Sequence, residues 1–293
     1  MSPVIQIHRE TVYMNRSILL LVARMDSLSL FTGKSPGADS VLTALLAMIA
    51  IAECLHRHKN RFANSSRQVI FTFYGGESLN YIGSSYHAYW LRANRRKATS
   101  YCSDNGAWCQ SGIENIDLHQ VGYVLELSQL AAHLGKNQSL FWLHTKSHAN
   151  ATDSQYLRDL LLKWSDRTMQ EATSTPLYPP SSVHTFASND CDHIEKVVIS
   201  NHEGAFTNLY YHSIFDLPFN VLPEGEDNIS QLALHLSTLV TIVSRTLAEF
   251  LLTESNDDIA ADHVLIDQLV YCFFVNQSCP LLNQSSLIDE CKY

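Results

Sequence analysis

Two carboxylates and one histidine stand where predicted strands or polar segments end. Glu77 follows an apolar run and two glycines, Glu126 lies at the end of a second run, and His212 lies in a later tyrosine-rich segment. Carboxylates and imidazoles are zinc ligands, and zinc lowers the pKa of a bound water so that it attacks a carbonyl group. A carboxylate beside that water acts as a general base. These residue types suit metal-assisted hydrolysis if enough ligands meet.

Four segments at or near the ends of predicted elements follow one another in a family-like order. They are Ala23-Arg24-Met25-Asp26-Ser27, Pro36-Gly37-Ala38-Asp39-Ser40, Gly75-Gly76-Glu77-Ser78-Leu79-Asn80-Tyr81-Ile82-Gly83-Ser84 and Tyr211-His212-Ser213-Ile214-Phe215-Asp216. Together they resemble the co-catalytic zinc aminopeptidases, whose pattern runs His-x-Asp, Gly-Ala-x-Asp, Glu-Glu-x-Gly-Leu-x-Gly-Ser, a strand-end Asp and Tyr-His-x-x-x-Asp. The resemblance covers nearly the whole chain.

The resemblance assigns six residues of this chain to the family's site positions, namely Arg24, Ser40, Ser78, Glu77, Glu126 and His212. Three of the five ligand positions are lost, because Arg24 replaces the first histidine, Ser40 the bridging aspartate and Ser78 the ligand glutamate. A guanidinium has no lone pair to donate, and it repels a dication at short range. Glu77 keeps the general-base position. The pattern therefore predicts a degenerate site with no catalytic residue, no metal and no other cofactor.

The last segment leaves two interpretations open for each of two residues. His212 is explained equally well as a hydrogen-bonded structural histidine and as a relic ligand. Asp216 is expected either to orient His212 or to satisfy backbone groups. The pair Tyr210-Tyr211 is more typical of packing than of recognition.

The departures from the peptidase pattern themselves resemble a second, related family. The ten residues 76–85, Gly-Glu-Ser-Leu-Asn-Tyr-Ile-Gly-Ser-Ser, are similar to Gly-Glu-x-x-Asp-Tyr-Ile-Gly-Ser-Ser of the nicastrin family. Asn80 stands where that family has aspartate, which removes a charge. Further similar stretches are residues 24–27, 36–38, 124–130 and 202–211.

The nicastrin resemblance implies a non-catalytic subunit of the gamma-secretase intramembrane protease, active in membrane-protein processing and Notch signalling. Its partners would be presenilin and the two small membrane subunits, and its clients the ectodomain stubs of type I membrane proteins. Glu77, Asn80 and Tyr81 would line the former active-site pocket. In that pocket the Glu77 carboxylate could pair with a substrate ammonium, and Tyr81 would supply an aromatic surface and one hydroxyl donor. Size gating of bulky ectodomains is the other use of such a pocket.

Two further functions are alternatives to this interpretation as a non-catalytic subunit. An active secreted zinc aminopeptidase would use Glu77, Glu126 and His212 with unrecognised replacement ligands, and its zinc content would reveal it. A receptor ectodomain that uses the fold for dimerisation ranks last, because a fold alone does not fix function.

Apolar runs and helical periodicity alternate along the chain. Strands are predicted at residues 17–25, 68–74, 122–127, 139–144 and 196–200. Helices are predicted at residues 37–59, 79–92, 153–170, 227–252 and 259–274. This alternation predicts an α/β three-layer sandwich with a mainly parallel, mixed central sheet, helices on both faces and sites at the carboxyl ends of strands.

Seven Asn-x-Ser/Thr tripeptides mark the surface as a candidate for N-glycans, at Asn15, Asn64, Asn137, Asn150, Asn228, Asn276 and Asn283. With 17 asparagines and 48 serines plus threonines in 293 residues, chance would give roughly three. The excess indicates the secretory pathway and the lumenal or extracellular side of the cell membrane. A net charge of -9 makes nucleic acid a poor partner.

Two local disulfides are expected among the seven cysteines, and the odd count leaves at least one cysteine unpaired. Cys102 with Cys109, and Cys272 with Cys279, each bracket six residues in turn-rich sequence. Cys54 lies in an apolar helical pattern and is expected to be a buried thiol.

Residues 1–293 are interpreted as one aminopeptidase-like domain, incomplete at both ends. No signal peptide or transmembrane span is recognised, and the most apolar candidate, residues 232–252, has the amphipathicity of a core helix. The resemblance implies a signal peptide, a smaller lobe and a membrane helix in the full protein, all absent from these residues.

Overall fold

The computed structural model describes residues 17–31, 36–94, 116–131, 141–145, 155–173, 178–187, 191–222, 228–276 and 278–283. Its strands are β1 (Ile18–Arg24), β2 (Gln68–Tyr74), β3 (Val121–Leu127), β4 (Phe141–Thr145), β5 (Met169–Glu171) and β6 (Glu195–Ser200). They form a six-stranded sheet in the order β2-β1-β3-β6-β4-β5. Strands β2, β1, β3 and β6 are parallel, β4 runs antiparallel to β6, and β5 is parallel to β4. The predicted mainly parallel, mixed sheet is confirmed.

The α-helices are α1 (Thr43–Arg57), α2 (Lys59–Phe62), α3 (Ile82–Asn94), α4 (Tyr156–Trp164), α5 (Pro218–Val221), α6 (Asn228–Leu252), α7 (His263–Phe274) and α8 (Pro280–Asn283). A π-helical turn, Ala38–Leu42, leads into α1, and a 3₁₀ helix spans Ser182–Phe186. Their apolar faces cover both sides of the sheet.

Alternate residues of β1 belong to different halves of the core, because successive side chains of a strand point to opposite faces. Leu19 and Leu21 pack in the larger cluster, which includes α1, α4, α6 and α7. Leu20 and Val22 pack in the smaller cluster with α3 and the 3₁₀ helix. All seven residues of β1 are buried. The predicted three-layer sandwich is confirmed.

One predicted helix extends too far. Residues 153–170 were assigned to one helix, but α4 ends at Trp164 and Met169–Glu171 is β5. Asp166 and Arg167 have φ angles of 42° and 66°, which no α-helix accommodates. This turn reverses the chain so that Met169 pairs with Phe141 of β4. The helix predicted from residue 79 likewise begins only at Ile82.

Two helical stretches, Ala38–Arg57 and Asn228–Leu252, are long and apolar enough to cross a membrane by length and composition. In this fold 72% and 67% of their most apolar windows are buried. That burial is typical of core helices, as the sequence predicted for residues 232–252.

The cysteine predictions are confirmed where the structure describes them. Cys272 and Cys279 form a disulfide, and Cys54 is a buried free thiol. Cys102 and Cys109 lie outside the described residues. Among the sequons, Asn64 and Asn276 are exposed and Asn228 is partly exposed at the start of α6. Asn15, Asn137, Asn150 and the side chain of Asn283 lie outside the described part of the chain.

The central strand β3 gives a test of the core. Leu125 is 0% exposed, so Leu125→Ala should lower the unfolding free energy by about 2–5 kcal/mol through lost transfer energy and a cavity. Leu234 of α6 is 60% exposed, and Leu234→Ala should cost below about 1 kcal/mol. Urea denaturation of both variants would measure this difference, and equal losses would contradict the assigned core.

Candidate functional site

The candidate site lies at the carboxyl edge of three adjacent parallel strands. Arg24 ends β1, Glu126 is the penultimate residue of β3, and Glu77 follows the end of β2. Because β1 lies between β2 and β3, the three side chains reach one edge of the sheet. This is the edge at which parallel α/β sheets place their ligand sites.

The turn after β2 depends on two glycines and one aspartate. Gly76 has φ 77°, and a Cβ on Gly83 would lie 2.4 Å from the carbonyl oxygen of Gly75, so both positions need glycine. Asp26 accepts hydrogen bonds from the backbone amides of Glu77 at 2.8 Å and Ser78 at 2.9 Å. The hydroxyl of Ser78 donates to the carbonyl of Asp26 at 3.2 Å. These bonds fix the start of the turn.

Glu77 is 2% exposed, and serine groups satisfy both of its carboxylate oxygens. Oε1 accepts from the amide of Ser84 at 2.8 Å. Oε2 accepts from the hydroxyls of Ser84 at 2.8 Å and Ser182 at 2.6 Å. In this conformation an ammonium would have to displace a serine hydroxyl to reach the carboxylate.

Asn80 and Tyr81 both adopt left-handed backbone conformations, with φ angles of 62° and 58°. Asparagine tolerates this region, whereas a tyrosine there is strained. The Tyr81 ring packs against His184 with 5.7 Å between ring centroids. Burial, ahead of nearby charges, raises the pKa of Tyr81. A strained turn thus holds a half-buried aromatic ring against His184 of the 3₁₀ helix.

Arg24 is 3% exposed and reaches across the edge of the sheet. Its NH1 group donates to the Tyr211 hydroxyl at 3.0 Å, and NH2 donates to the carbonyl of Pro180 at 2.8 Å. The Nε atom has no hydrogen-bond partner among the described residues. The sequence predicts a packing role for Tyr211, and its ring stacks on His212 with 4.0 Å between ring centroids. Its hydroxyl also accepts the hydrogen bond from Arg24.

Glu126 is 0% exposed, and its Oε2 accepts from the Val183 amide at 3.2 Å. Its Oε1 has no hydrogen-bond partner among the described residues. Burial raises the pKa of Glu126 to about 7, and the charge of Glu77 adds to the rise while the Arg24 cation opposes it. Near neutral pH this carboxyl group is therefore divided between its two protonation states.

Asp216 satisfies backbone groups, which decides between its two predicted roles. It accepts from the amides of Asp39 at 3.0 Å and Ser40 at 3.2 Å, and from the Ser40 hydroxyl at 2.6 Å. These amides begin the helical stretch and have no partners within it. His212 has φ 57°, and its buried Nε2 has no hydrogen-bond partner among the described residues. Burial first, and then the Arg24 cation, lower the pKa of His212.

Asp39 ties the loop after β3 to the start of the helical stretch, a role that its sequence position alone does not indicate. Its Oδ1 accepts from the amides of Leu130 at 3.0 Å and Ala131 at 2.8 Å, and its Oδ2 from the Asn201 amide group at 3.1 Å. Burial raises the pKa of Asp39 to about 6. Asp39 and Asp216 thus act as scaffolds for the loops around the site.

The residues present do not fit a zinc pair. Zinc needs thiolate, imidazole or carboxylate ligands. The guanidinium of Arg24, for which the resemblance predicts a ligand position, is hydrogen bonded to protein oxygens. Ser40 is committed to Asp216, and Ser78 to Asp26. Within the described residues, no group of three or more His, Cys, Asp or Glu side chains is arranged to hold a metal ion. No hydrolytic step through a metal follows from this arrangement.

Sequence reasoning missed the residues that close the site from a distant loop. Ser182 hydrogen bonds to Glu77, and His184 packs on Tyr81. Both lie between β5 and β6, in a stretch that contains Pro176, Pro179 and Pro180. Their positions in the chain carry no spacing signal, because the contact with Glu77 spans 105 residues.

Comparison with known proteins identifies relatives of the whole arrangement. A family model described as the nicastrin large lobe matches residues 17–248. Nicastrin of Mus musculus is 29% identical over 277 residues, covering 88% of this chain and 36% of its own length. Nicastrin of Arabidopsis thaliana is 25% identical over 283 residues, covering 91% and 38% respectively. The chain thus spans little more than a third of the length of these relatives.

Solved structures support the same fold. The crystal structure of the gamma-secretase component nicastrin superposes with a TM-score of 0.70 at 23% identity, covering 91% of this chain and 45% of that one. Legionella pneumophila LapA aminopeptidase superposes with a TM-score of 0.51 at 17% identity, covering 83% and 53%. The sheet, its helical layers and the strand-end site define a protein of aminopeptidase-like fold. Since the family model covers most of the chain, the chain belongs to the nicastrin family.

The buried carboxyl group of Glu126 predicts a pH dependence of stability. Its pKa rises from an ordinary 4.5 to about 7 on folding, so the folded state holds this proton more tightly than the unfolded state. Its contribution is fully present below pH 4.5 and is lost as pH rises through about 7. Relative to Glu126→Gln, the native chain should lose about 2–3 kcal/mol over this range. Chemical denaturation at several pH values would measure this, and parallel pH profiles would contradict it.

Proposed function

We propose that this chain is the large lobe of a gamma-secretase subunit that recognises substrates and hydrolyses no peptide bond itself. The solved nicastrin structure is named as a component of gamma-secretase, which supports assignment to that complex. By the same reasoning its partners are presenilin and the two small membrane subunits. Its place is on the lumenal or extracellular side of the membrane, with N-glycans at the accessible sequons.

The observation that carries the absence of catalysis is the buried guanidinium of Arg24. A permanent cation occupies the edge where a metal ligand would have to stand, and it is hydrogen bonded to Tyr211 and Pro180. If a ligand were simply missing, a neighbouring side chain could coordinate the metal in its place. A fixed positive charge, in contrast, opposes any dication placed beside it.

The proposed recognition site is the pocket lined by Glu77, Asn80 and Tyr81. Its ligand is the free amino terminus of a type I membrane protein stub. Glu77 supplies a carboxylate and Tyr81 an aromatic ring, and both contact the 3₁₀ helix Ser182–Phe186. A carboxylate and an aromatic ring suit an ammonium through charge and cation–π attraction. The ammonium takes the place of the Ser182 hydroxyl, which donates to the same oxygen at 2.6 Å in the closed arrangement. Exchange of one donor for another keeps the carboxylate satisfied.

The competing function, an active zinc aminopeptidase, is favoured by the likeness to LapA aminopeptidase and by the retained Glu77 and Glu126. Elemental analysis of the purified glycosylated chain, with a fluorogenic aminopeptidase assay in added zinc, separates the two functions. We expect zinc far below one ion per chain and no turnover. About two zinc ions per chain with turnover would establish an enzyme with unfamiliar ligands.

Capture of substrate by the assembled complex tests the role of Glu77. Glu77→Gln keeps the size of the side chain and removes the charge, so capture of a stub with a free amino terminus should fall roughly tenfold or more. Capture of the same stub with an acetylated amino terminus should not change. Pull-down of labelled stubs measures both.

Glu195→Gln is the matched control for this experiment. Glu195 also holds a helix start, since it accepts from the amides of Leu157 at 3.0 Å and Arg158 at 2.9 Å. It lies at the amino end of β6, away from the site, so its replacement should leave capture unchanged. If Glu77→Gln also leaves capture unchanged, while stubs with longer ectodomains are excluded, the pocket region acts by size and direct contact with the amine is ruled out.

A further inference from the structure

Residues 178–187, here called the wall segment, form one side of the candidate pocket without belonging to the sheet. The segment contains the 3₁₀ helix Ser182–Phe186. Ser182, Val183 and Phe186 are each 0% exposed, so the segment packs as part of the core. Its apolar side chains join the smaller core cluster.

Glu77, Glu126 and Tyr81 each contact the wall segment. The Ser182 hydroxyl donates to Glu77, and the Val183 amide donates to Glu126. The His184 ring packs against Tyr81 at 5.7 Å. The position of the wall segment therefore sets the geometry of both the carboxylate and the aromatic ring.

Arg24 joins the wall segment to the sheet. Its guanidinium donates to the carbonyl of Pro180 at 2.8 Å and to the hydroxyl of Tyr211 at 3.0 Å. Hydrogen bonds from a charged donor are stronger than those between neutral groups. Because Arg24 is the last residue of the fully buried strand β1, its backbone is a rigid origin for these bonds.

We propose that Arg24 is a positioning residue: its guanidinium holds the wall segment against the sheet edge and thereby fixes Glu77 and Tyr81 for recognition. The recognition step rests on the proposed function, whereas the holding of the wall segment does not. Arg24 acts through the segment and needs no contact with the substrate.

The alternative is that Arg24 stabilises the fold as any buried arginine would. Arg67 provides a matched comparison, since it donates to the Tyr156 hydroxyl at 3.1 Å and to the carbonyl of Phe250 at 2.9 Å. The acceptors are thus the same in kind. Arg67 immediately precedes β2, at the opposite edge of the sheet from Arg24. Loss of either guanidinium removes similar bonds, but only one loss affects the pocket.

Amide hydrogen exchange of the full chain, read by mass spectrometry, separates these roles. In Arg24→Met the wall segment, whose Val183, His184 and Ala187 amides are hydrogen bonded, should exchange at least about tenfold faster relative to β3. In Arg67→Met the same ratio should change less than about twofold. Arg24→Lys, which keeps the charge and one donor direction, should restore part of the protection.

A ratio of wall-segment to β3 exchange in Arg24→Met that equals the ratio in the native chain would overturn the proposal, as would an equal rise of this ratio in Arg67→Met. If Arg24→Met fails to fold, Tyr211→Phe removes one acceptor and leaves the guanidinium in place. That variant should raise wall-segment exchange about threefold relative to β3, and no change would overturn the proposal.

Stub capture by the assembled complex separates the proposal from the function on which it draws. Loss of both wall-segment protection and free-amine capture in Arg24→Met supports both. Lost protection with unchanged capture supports the holding role and overturns recognition at this pocket. Retained protection with lost capture overturns the positioning role.

Discussion

A permanent positive charge buried at the end of β1 constrains the carboxyl edge of the sheet. A guanidinium that is 3% exposed must find protein acceptors, because burial without hydrogen bonds is strongly unfavourable. The acceptors of the Arg24 guanidinium are the carbonyl of Pro180 and the hydroxyl of Tyr211, which belong to two different loops. These two hydrogen bonds join both loops to the end of β1.

Carboxylates around this cation serve the backbone. Asp26 holds the turn after β2, Asp216 the start of the helical stretch, and Asp39 the loop after β3. Each accepts amide hydrogen bonds that the local structure leaves unsatisfied. In a metal enzyme such acids would be committed to ions or to their ligands. Here they order the loops at the carboxyl edge of the sheet through hydrogen bonds.

Glu77 and Glu126 differ in the hydrogen bonds that their carboxylate oxygens accept. Three hydrogen bonds satisfy the carboxylate oxygens of Glu77, from the Ser84 amide and from the hydroxyls of Ser84 and Ser182. Glu126 keeps one oxygen without a partner among the described residues, and burial raises its pKa to about 7. The amine-binding role is accordingly proposed for Glu77 alone.

The layers, the mainly parallel sheet and the Cys272–Cys279 disulfide could be predicted from the sequence, because periodicity, loop length and residue chemistry are local properties. The helix predicted from residue 153 is too long, because the left-handed turn at Asp166 and Arg167 has no strong local sequence signal. Three hydrogen-bonded contacts are visible only in the folded chain. Asp216 accepts from amides at a distant helix start, Tyr211 accepts from Arg24, and Ser182 donates to Glu77. Those contacts join residues 177, 187 and 105 positions apart, and chain folding alone brings such residues together.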